Sequence, residues 1–173
     1  MKSYNNYFIK NNGRHNFFKP IGLIYSPFKE AQGMPIQTAG ANGIRGTVVI
    51  DDLYKAALKD LEGFSHIILL YYFHCASGFE SEVIPFLDDA PHGLFATRAP
   101  KRPNPIGLSV VKLNSITENI LHIEDIDVLD GTPLLDIKPY IPAFDVKKTR
   151  KVGWFAKSIG REKNIKADNR FLP

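Results

Sequence analysis

The chain has a single cysteine, Cys75, so no disulfide can form within it, a usage that fits a reducing compartment. Long hydrophobic runs are missing too. The longest, IILLYYF from Ile67 to Phe73, suits a buried strand and is far short of a membrane span. The opening MKSYNNYFIKNNGRHN lacks an apolar h-region and a small-residue cleavage site, which makes a cytoplasmic address the expectation. There is no G-x-x-x-x-G-K-[ST], and no strand runs into G-x-G-x-x-G. GANGIRG, Gly40 to Gly46, has the wrong spacing and precedes a strand, so P-loop and Rossmann readings are weak. The five histidines, His15, His66, His74, His92 and His122, are scattered. His66 and His74, read on one strand, would lie about 27 Å apart, and no metal site is expected. Acids are absent from residues 1–20, which hold Lys2, Lys10, Arg14 and Lys19, and scarce in residues 147–173, where nine cations face Glu162 and Asp168. With a total of +4, the body between them carries −7. Two basic ends on an acidic body are either solvated faces or a clamp for a polyanion such as RNA.

What is present is enough for one domain: 173 residues, with 12 Phe and 7 Tyr to supply large buried surfaces. Residues 1–16 lack periodicity and read as a disordered leader. In FFKPIGLIYSP, Ile21, Leu23 and Tyr25 alternate as in a strand that Pro27 ends. Residues 29–44 form a long glycine-containing loop, and such loops are commonly functional. RGTVVI is a strand. DDLYKAALKDLEG reads as one short helix, with Asp51 or Asp52 as N-cap, Leu53, Ala57, Leu58 and Leu61 on one face, and Gly63 as its stop. FSHIILLYYFH is a buried strand, residues 76–92 a polar connection, and IGLSVVKL with ILHIEDIDVLDG a hairpin by spacing. Strands dominate with little helix between them, so the fold class is all-β dominated, an antiparallel barrel or sandwich. The layout is a leader over 1–16, a β domain over 17–146 and an irregular basic C-terminal extension over 147–173.

Two stretches carry chemistry. ATRAPKRPNPIGLS, Ala96 to Ser109, holds Pro100, Pro103 and Pro105 with Arg98, Lys101 and Arg102 and no acid. The prolines fix φ at three points and bias Ala99, Arg102 and Asn104 toward extended geometry, so the cations are presented with little ordering entropy left to lose to an anionic ligand. The bland alternative is an edge connection that avoids aggregation. The second stretch is acidic, with Glu124, Asp125, Asp127 and Asp130, then Asp136 and Asp145. Its apolar alternation changes parity at Glu124-Asp125, as at a β-bulge or at a bend where one strand stops and another segment starts. Cys75 beside His74 invites a nucleophile reading, but strand neighbours point to opposite faces, and a buried structural cysteine is the better reading.

GFSHIILLYYFH, GLFATRAPKRPNPIGLS and DGTPLLDIKPY closely resemble, in order and spacing, three signature blocks of the TrmO-like (TsaA-like, VirR-like) tRNA methyltransferases, over roughly residues 19–145. That resemblance implies a small antiparallel β-barrel that binds S-adenosylmethionine without a Rossmann fold. It also implies a homodimer and N6-methylation of N6-threonylcarbamoyladenosine beside the anticodon of tRNA. By matching motif, Pro35, Ile36, Gln37, His74, Cys75, Arg98, Leu108, Glu124, Asp125, Ile126 and Asp127 look like cofactor contacts. Arg102, Asn104, Asp130 and Lys138 are candidates for substrate positioning, and Asp127 or Asp130 for holding the acceptor N–H. Lys101 and Arg102, with Lys147, Lys148, Arg150 and Lys151 of the tail, are the candidate RNA contacts. Ile36 and Cys75 stand where bacterial members carry Arg and Gln. The alternative function is a module that binds S-adenosylmethionine or a nucleotide without transferring a methyl group.

Overall fold

The structure, a computed structural model, describes residues 7–11 and 14–171. Its centre is a closed barrel of six antiparallel strands: β3 (Gly22–Tyr25), β4 (Arg45–Ile50), β5 (His66–Tyr72), β8 (Ile106–Thr117), β9 (Ile120–Glu124) and β10 (Thr132–Pro139). Around the barrel they run β10, β3, β4, β9, β8, β5, and β10 closes the ring by pairing with both β3 and β5. Burial alternates along the strands as in a half-buried sheet, most regularly in β5 and the first half of β8. In β5 the inward residues are Ile67, Leu69 and Tyr71, and in β8 they are Gly107, Ser109, Val111 and Leu113. Ile24, Val48, Ile50, Leu121, Ile123, Ile126 and Leu134 complete the core.

Several expectations need correction. The strand expected around Ile21, Leu23 and Tyr25 is β3, but Gly22 and Ile24 are its inward residues, Ile21 packs against the core just before it, and Tyr25 is exposed. Both faces of that segment carry apolar groups, and backbone crowding decides between them, because a Cβ on Gly22 would lie 2.2 Å from the Val49 carbonyl oxygen. The stretch after β4 makes no α-helix. It winds as 3₁₀ turns over Asp52–Leu58 and Leu61–Gly63, with no side-chain cap on Asp51 and with Asp60 at φ 67° between them. A left-handed residue at that point breaks the i→i−4 ladder. The one α-helix among the described residues, α1, is the single turn Pro142–Asp145. Residues 1–6 of the expected leader lie outside the described residues. Beyond them β1 (Tyr7–Asn11) and β2 (Arg14–Phe18) pair antiparallel. Asn11 faces Arg14 and the sequence between them is Asn-Gly, a turn signal for hairpins. The parity change at Glu124 is a bend: β9 stops there and Asp125 takes φ 69°.

The C-terminal extension packs down on the domain. Gly33 N–H donates to the Ala167 carbonyl and Ala167 N–H donates to the Met34 carbonyl, both at 2.8 Å, so the tail adds a short antiparallel bridge to the glycine-containing loop. Trp154 donates from Nε1 to the Ala96 carbonyl and stacks on His92 at 4.8 Å. Phe171 packs against a small apolar cluster of Val83, Leu94 and Ala99, beside the ribbon of β6 (Glu82–Val83) and β7 (His92–Gly93).

The tightest position in the barrel is Gly107, where an added Cβ would fall 2.1 Å from the Tyr71 ring. Gly107→Ala is expected to lower stability by about 1–3 kcal/mol or more through overpacking. Gly63→Ala, which meets nothing within 4 Å, serves as the control with little change. Chemical denaturation of both variants checks this.

Candidate functional site

Three loops and two strands converge at the end of the barrel where β5 finishes. The glycine-containing loop brings Gln37, the proline loop brings Arg98, and the segment after β9 brings Asp127, while Tyr71 and Ser109 reach the same point from inside β5 and β8. Arg98 donates from Nη1 to Gln37 Oε1 at 2.6 Å, which links the first two loops. The Ser109 hydroxyl donates to Asp127 Oδ1 at 2.6 Å, and Tyr71 OH lies 3.0 Å from Ser109 Oγ.

Burial dominates the electrostatics of this cluster. It raises the Asp127 carboxyl to about 6, opposed by hydrogen bonds from Ser109 and from the Thr38 backbone and by the nearby Arg98 charge. The same burial, with the Asp127 charge added, pushes the Tyr71 phenol well above its ordinary value and keeps it protonated. Asp127 therefore exchanges its proton close to neutral pH, a property suited to proton transfer at a reacting group.

The other cofactor candidates surround this centre unevenly. Pro35 is buried at the bridge to Lys166, and the Ile36 carbonyl accepts from Gln37 Nε2 at 2.7 Å. His74 lies in the turn just past β5, its Nδ1 3.3 Å from Thr132 Oγ1, and desolvation lowers its pKa. Cys75 is in that turn and exposed, which corrects the reading of a buried strand cysteine. Asp125 accepts from Gly43 N–H at 2.8 Å, and Glu124 is held by Asn114 and Lys112. Ile126 is fully buried in the core, so only its backbone can face a ligand. Leu108 points outward from β8, 52% exposed.

The substrate candidates divide. Arg102 does not project from the proline loop. Its Nη1 donates to the Thr97 carbonyl at 3.0 Å, with the Leu94 and Ala99 carbonyls at longer range, and its guanidinium covers the Phe95 ring. It clasps the loop that prolines alone were expected to stiffen, and Arg98 is the cation left to face the site. Asn104 is exposed, and Lys101 is half-buried within the loop. Asp130 accepts from Ser26 N–H and pairs with Lys29 at 2.6 Å, apart from Asp127. Lys138 is six residues along β10 from Thr132, about 20 Å at the usual rise, and pairs with Asp136 at the far end of the barrel. Lys147, Lys148, Arg150 and Lys151 are all exposed on the run that follows α1. An open groove of about 770 Å³ crosses the outer faces of β3, β4 and β9, with Tyr25, Arg45 and His122 in its lining, and it includes the candidates Glu124 and Asp130 but not Asp127, Arg98 or Gln37. Among the described residues no group of His, Cys, Asp and Glu is arranged to hold a metal, and no helix is long and apolar enough to cross a membrane.

Tyr71 and Ser109 are the members of the cluster that the motif reading missed. A signal for Ser109 was available: it is the one hydroxyl among the inward positions of an otherwise apolar strand segment, and a buried hydroxyl needs a partner.

The sequence and the barrel both have counterparts among known proteins. The pattern of the tRNA-methyltransferase O N-terminal domain matches residues 23–146. A probable S-adenosyl-L-methionine-binding protein of Pyrococcus abyssi is 51% identical over 155 residues, 90% of this chain and 84% of its own. The tRNA (adenine(37)-N6)-methyltransferase of Escherichia coli is 38% identical over 135 residues, 72% of this chain and 57% of its own. The crystal structure of TrmO from Pseudomonas aeruginosa superposes with a TM-score of 0.66 at 42% identity, covering 78% of this chain and 60% of that one. The present chain thus spans somewhat under two thirds of the length of those bacterial proteins. Residues 23–146, the barrel and the loops that build its site, make this chain a member of the tRNA-methyltransferase O N-terminal domain family.

Proposed function

We propose that the protein is an S-adenosylmethionine-dependent tRNA methyltransferase that methylates N6 of N6-threonylcarbamoyladenosine beside the anticodon, working as a cytoplasmic homodimer. The observation that carries this reading is Asp127, a carboxylate with raised proton affinity set between the two loops whose motifs match cofactor-binding segments. The relatives named for S-adenosylmethionine binding and for adenine-37 methylation support it. So do the adjacent exposed apolar residues Ile106 and Leu108 on β8, which a second protomer would cover.

Bound S-adenosylmethionine supplies an activated methyl group on sulfur, so the chain has little bond-breaking to assist and contributes mainly orientation and water exclusion. Gln37 and Arg98, locked together, define one wall of the cofactor site. The Pro35–Gln37 backbone and the Glu124–Asp127 turn offer N–H and C=O groups to its polar ends. The acceptor nitrogen is attached to both adenine and a carbamoyl carbon, which makes it a poor nucleophile. Its lone pair would take the methyl group as the C–S bond gives its electrons to sulfur, and the ionised carboxylate of Asp127 would accept its proton. The exposed cations Lys147, Lys148, Arg150 and Lys151 would meet RNA phosphates, joined by Lys101 of the proline loop.

Calorimetric titration with S-adenosylmethionine, with ATP as control, followed by methyl transfer to unmethylated tRNA tests the proposal. Saturable binding without transfer would favour the binding-module reading, and no binding would sink both. Arg98→Ala is expected to weaken cofactor binding by about 10- to 100-fold, the worth of a charge-assisted hydrogen bond. Because Arg98 is exposed, the melting temperature of the unliganded variant should move by no more than about 2 °C. A large loss of unliganded stability would make Arg98 structural. Neutralising Lys147, Lys148, Arg150 and Lys151 together should lower the log–log salt slope of tRNA binding by about 3, read by filter binding across salt concentrations. An unchanged slope removes the tail from the RNA interface.

A further inference from the structure

We propose that Tyr71 and Ser109 are positioning residues for methyl transfer, their two hydroxyls forming a directed chain that aims the Asp127 carboxylate and holds it ready to take the acceptor proton. The inference rests on the function proposed above. Its basis is proton counting inside the barrel. A hydroxyl has one proton to donate. The Ser109 proton is committed to Asp127 Oδ1 at 2.6 Å, so Ser109 Oγ can only accept from Tyr71, 3.0 Å away. The chain therefore runs one way, from Tyr71 through Ser109 to Asp127. It is also rigid: Ser109 is 2% and Tyr71 4% exposed. The Tyr71 ring occupies space that exists only because residue 107 is glycine, and its edge meets Phe73 at 5.4 Å.

The groups facing Asp127 come from every neighbouring element: Ser109 from β8, Tyr71 from β5, Arg98 from the proline loop and the Thr38 backbone from the glycine-containing loop. Arg98 and Thr38 belong to the loops at the rim, whereas Ser109 and Tyr71 belong to the barrel core. The core thus orients the carboxylate independently of whether the loops are engaged with a ligand. During transfer the N–H proton moves to Asp127 and later to solvent, while Tyr71 and Ser109 keep their own protons. Their role is orientation and charge stabilisation.

Two readouts on the full-length protein separate this from a merely structural role. The first is the Asp127 carboxyl titration, followed by carbon-13 NMR. The second is the pH profile of single-turnover methyl transfer at saturating S-adenosylmethionine. Activity is expected to rise with pH as Asp127 ionises, with an acid limb near 6 in the wild type. Ser109→Ala removes a donor to the charged form, so both titration and limb should move upward by about 1 pH unit. Tyr71→Phe should move them the same way by less. Because Ser109→Ala strands a buried phenol, the double variant Tyr71→Phe with Ser109→Ala restores an apolar pairing and supplies a folded comparison with the full shift. An Asp127 titration that stays put in the double variant overturns the proposal, as does a titration that moves while the activity limb does not follow. Wild-type protein that binds cofactor yet transfers no methyl at any pH defeats the underlying function instead, a result distinct from an active enzyme with an unmoved limb.

Discussion

Everything at the site depends on the closure of the barrel by β10. That strand hydrogen-bonds to β3 along one side and β5 along the other, which leaves no free edge in the six-stranded sheet and forces every inward side chain into one packed column. Because the column is full, Ser109 cannot rotate away from Asp127, and Tyr71 can only lie where Gly107 admits it. Closure also brings Thr132, at the start of β10, against His74 at the end of β5. The loops after β5 and before β8 therefore meet those before β4 and after β9 at one rim.

The C-terminal extension has two chemically separate parts. Residues 147–151 present cations to solvent, whereas residues 153–171 are spent on contacts: a backbone bridge to Gly33 and Met34, Trp154 on His92, and Arg170 on the Pro85 carbonyl. Gly40 marks how close this packing is, since a Cβ there would sit 3.2 Å from the carbonyls of both Glu162 and Lys163. The exposed cations and the packed stretch are successive segments of one chain. Support for the loop that carries Gln37 comes from the second segment, so cofactor-loop geometry and the proposed RNA-facing cations are joined by only a short stretch of backbone.

Strand composition made the all-β class legible, and the hairpin of β8 and β9 followed from spacing, because alternation over long strands is a strong signal. Failures came where two physical readings were close in energy. In Asp52–Gly63 the helix pattern was present, but Asp60 in the left-handed region cut it into 3₁₀ turns. At the site, short motifs named Gln37, Arg98 and Asp127, which the structure brings together, but could not say which arginine of the proline loop turns inward. Arg98 and Arg102 differ by four residues in a chain with no regular period there, and only the carbonyls of Leu94, Thr97 and Ala99 show that Arg102 turns inward. Lys138 failed for a related reason: its signature block covers the whole length of β10, and strand rise carries its end away from the rim.

Asp127 is the point where stability and the proposed chemistry conflict. Its proton binds more tightly in the folded state than in an unfolded chain, so folding becomes less favourable as pH rises from about 4 to about 6, by up to about 3 kcal/mol. A core built for stability alone would place an apolar side chain beside Ser109, or pair the carboxylate closely with a cation and depress its proton affinity, as Lys29 does for Asp130. Neither arrangement is found at Asp127. Arg98 is near enough to lower the cost, yet it hydrogen-bonds to Gln37, and the neutral Ser109 hydroxyl contacts the carboxylate instead. Hydroxyls orient a carboxylate without cancelling its basicity, which a bidentate arginine would do. The departure from the stable solution at this one residue, within a barrel otherwise filled by aliphatic side chains, is the physical reason to assign Asp127 the proton-accepting role in the proposed reaction.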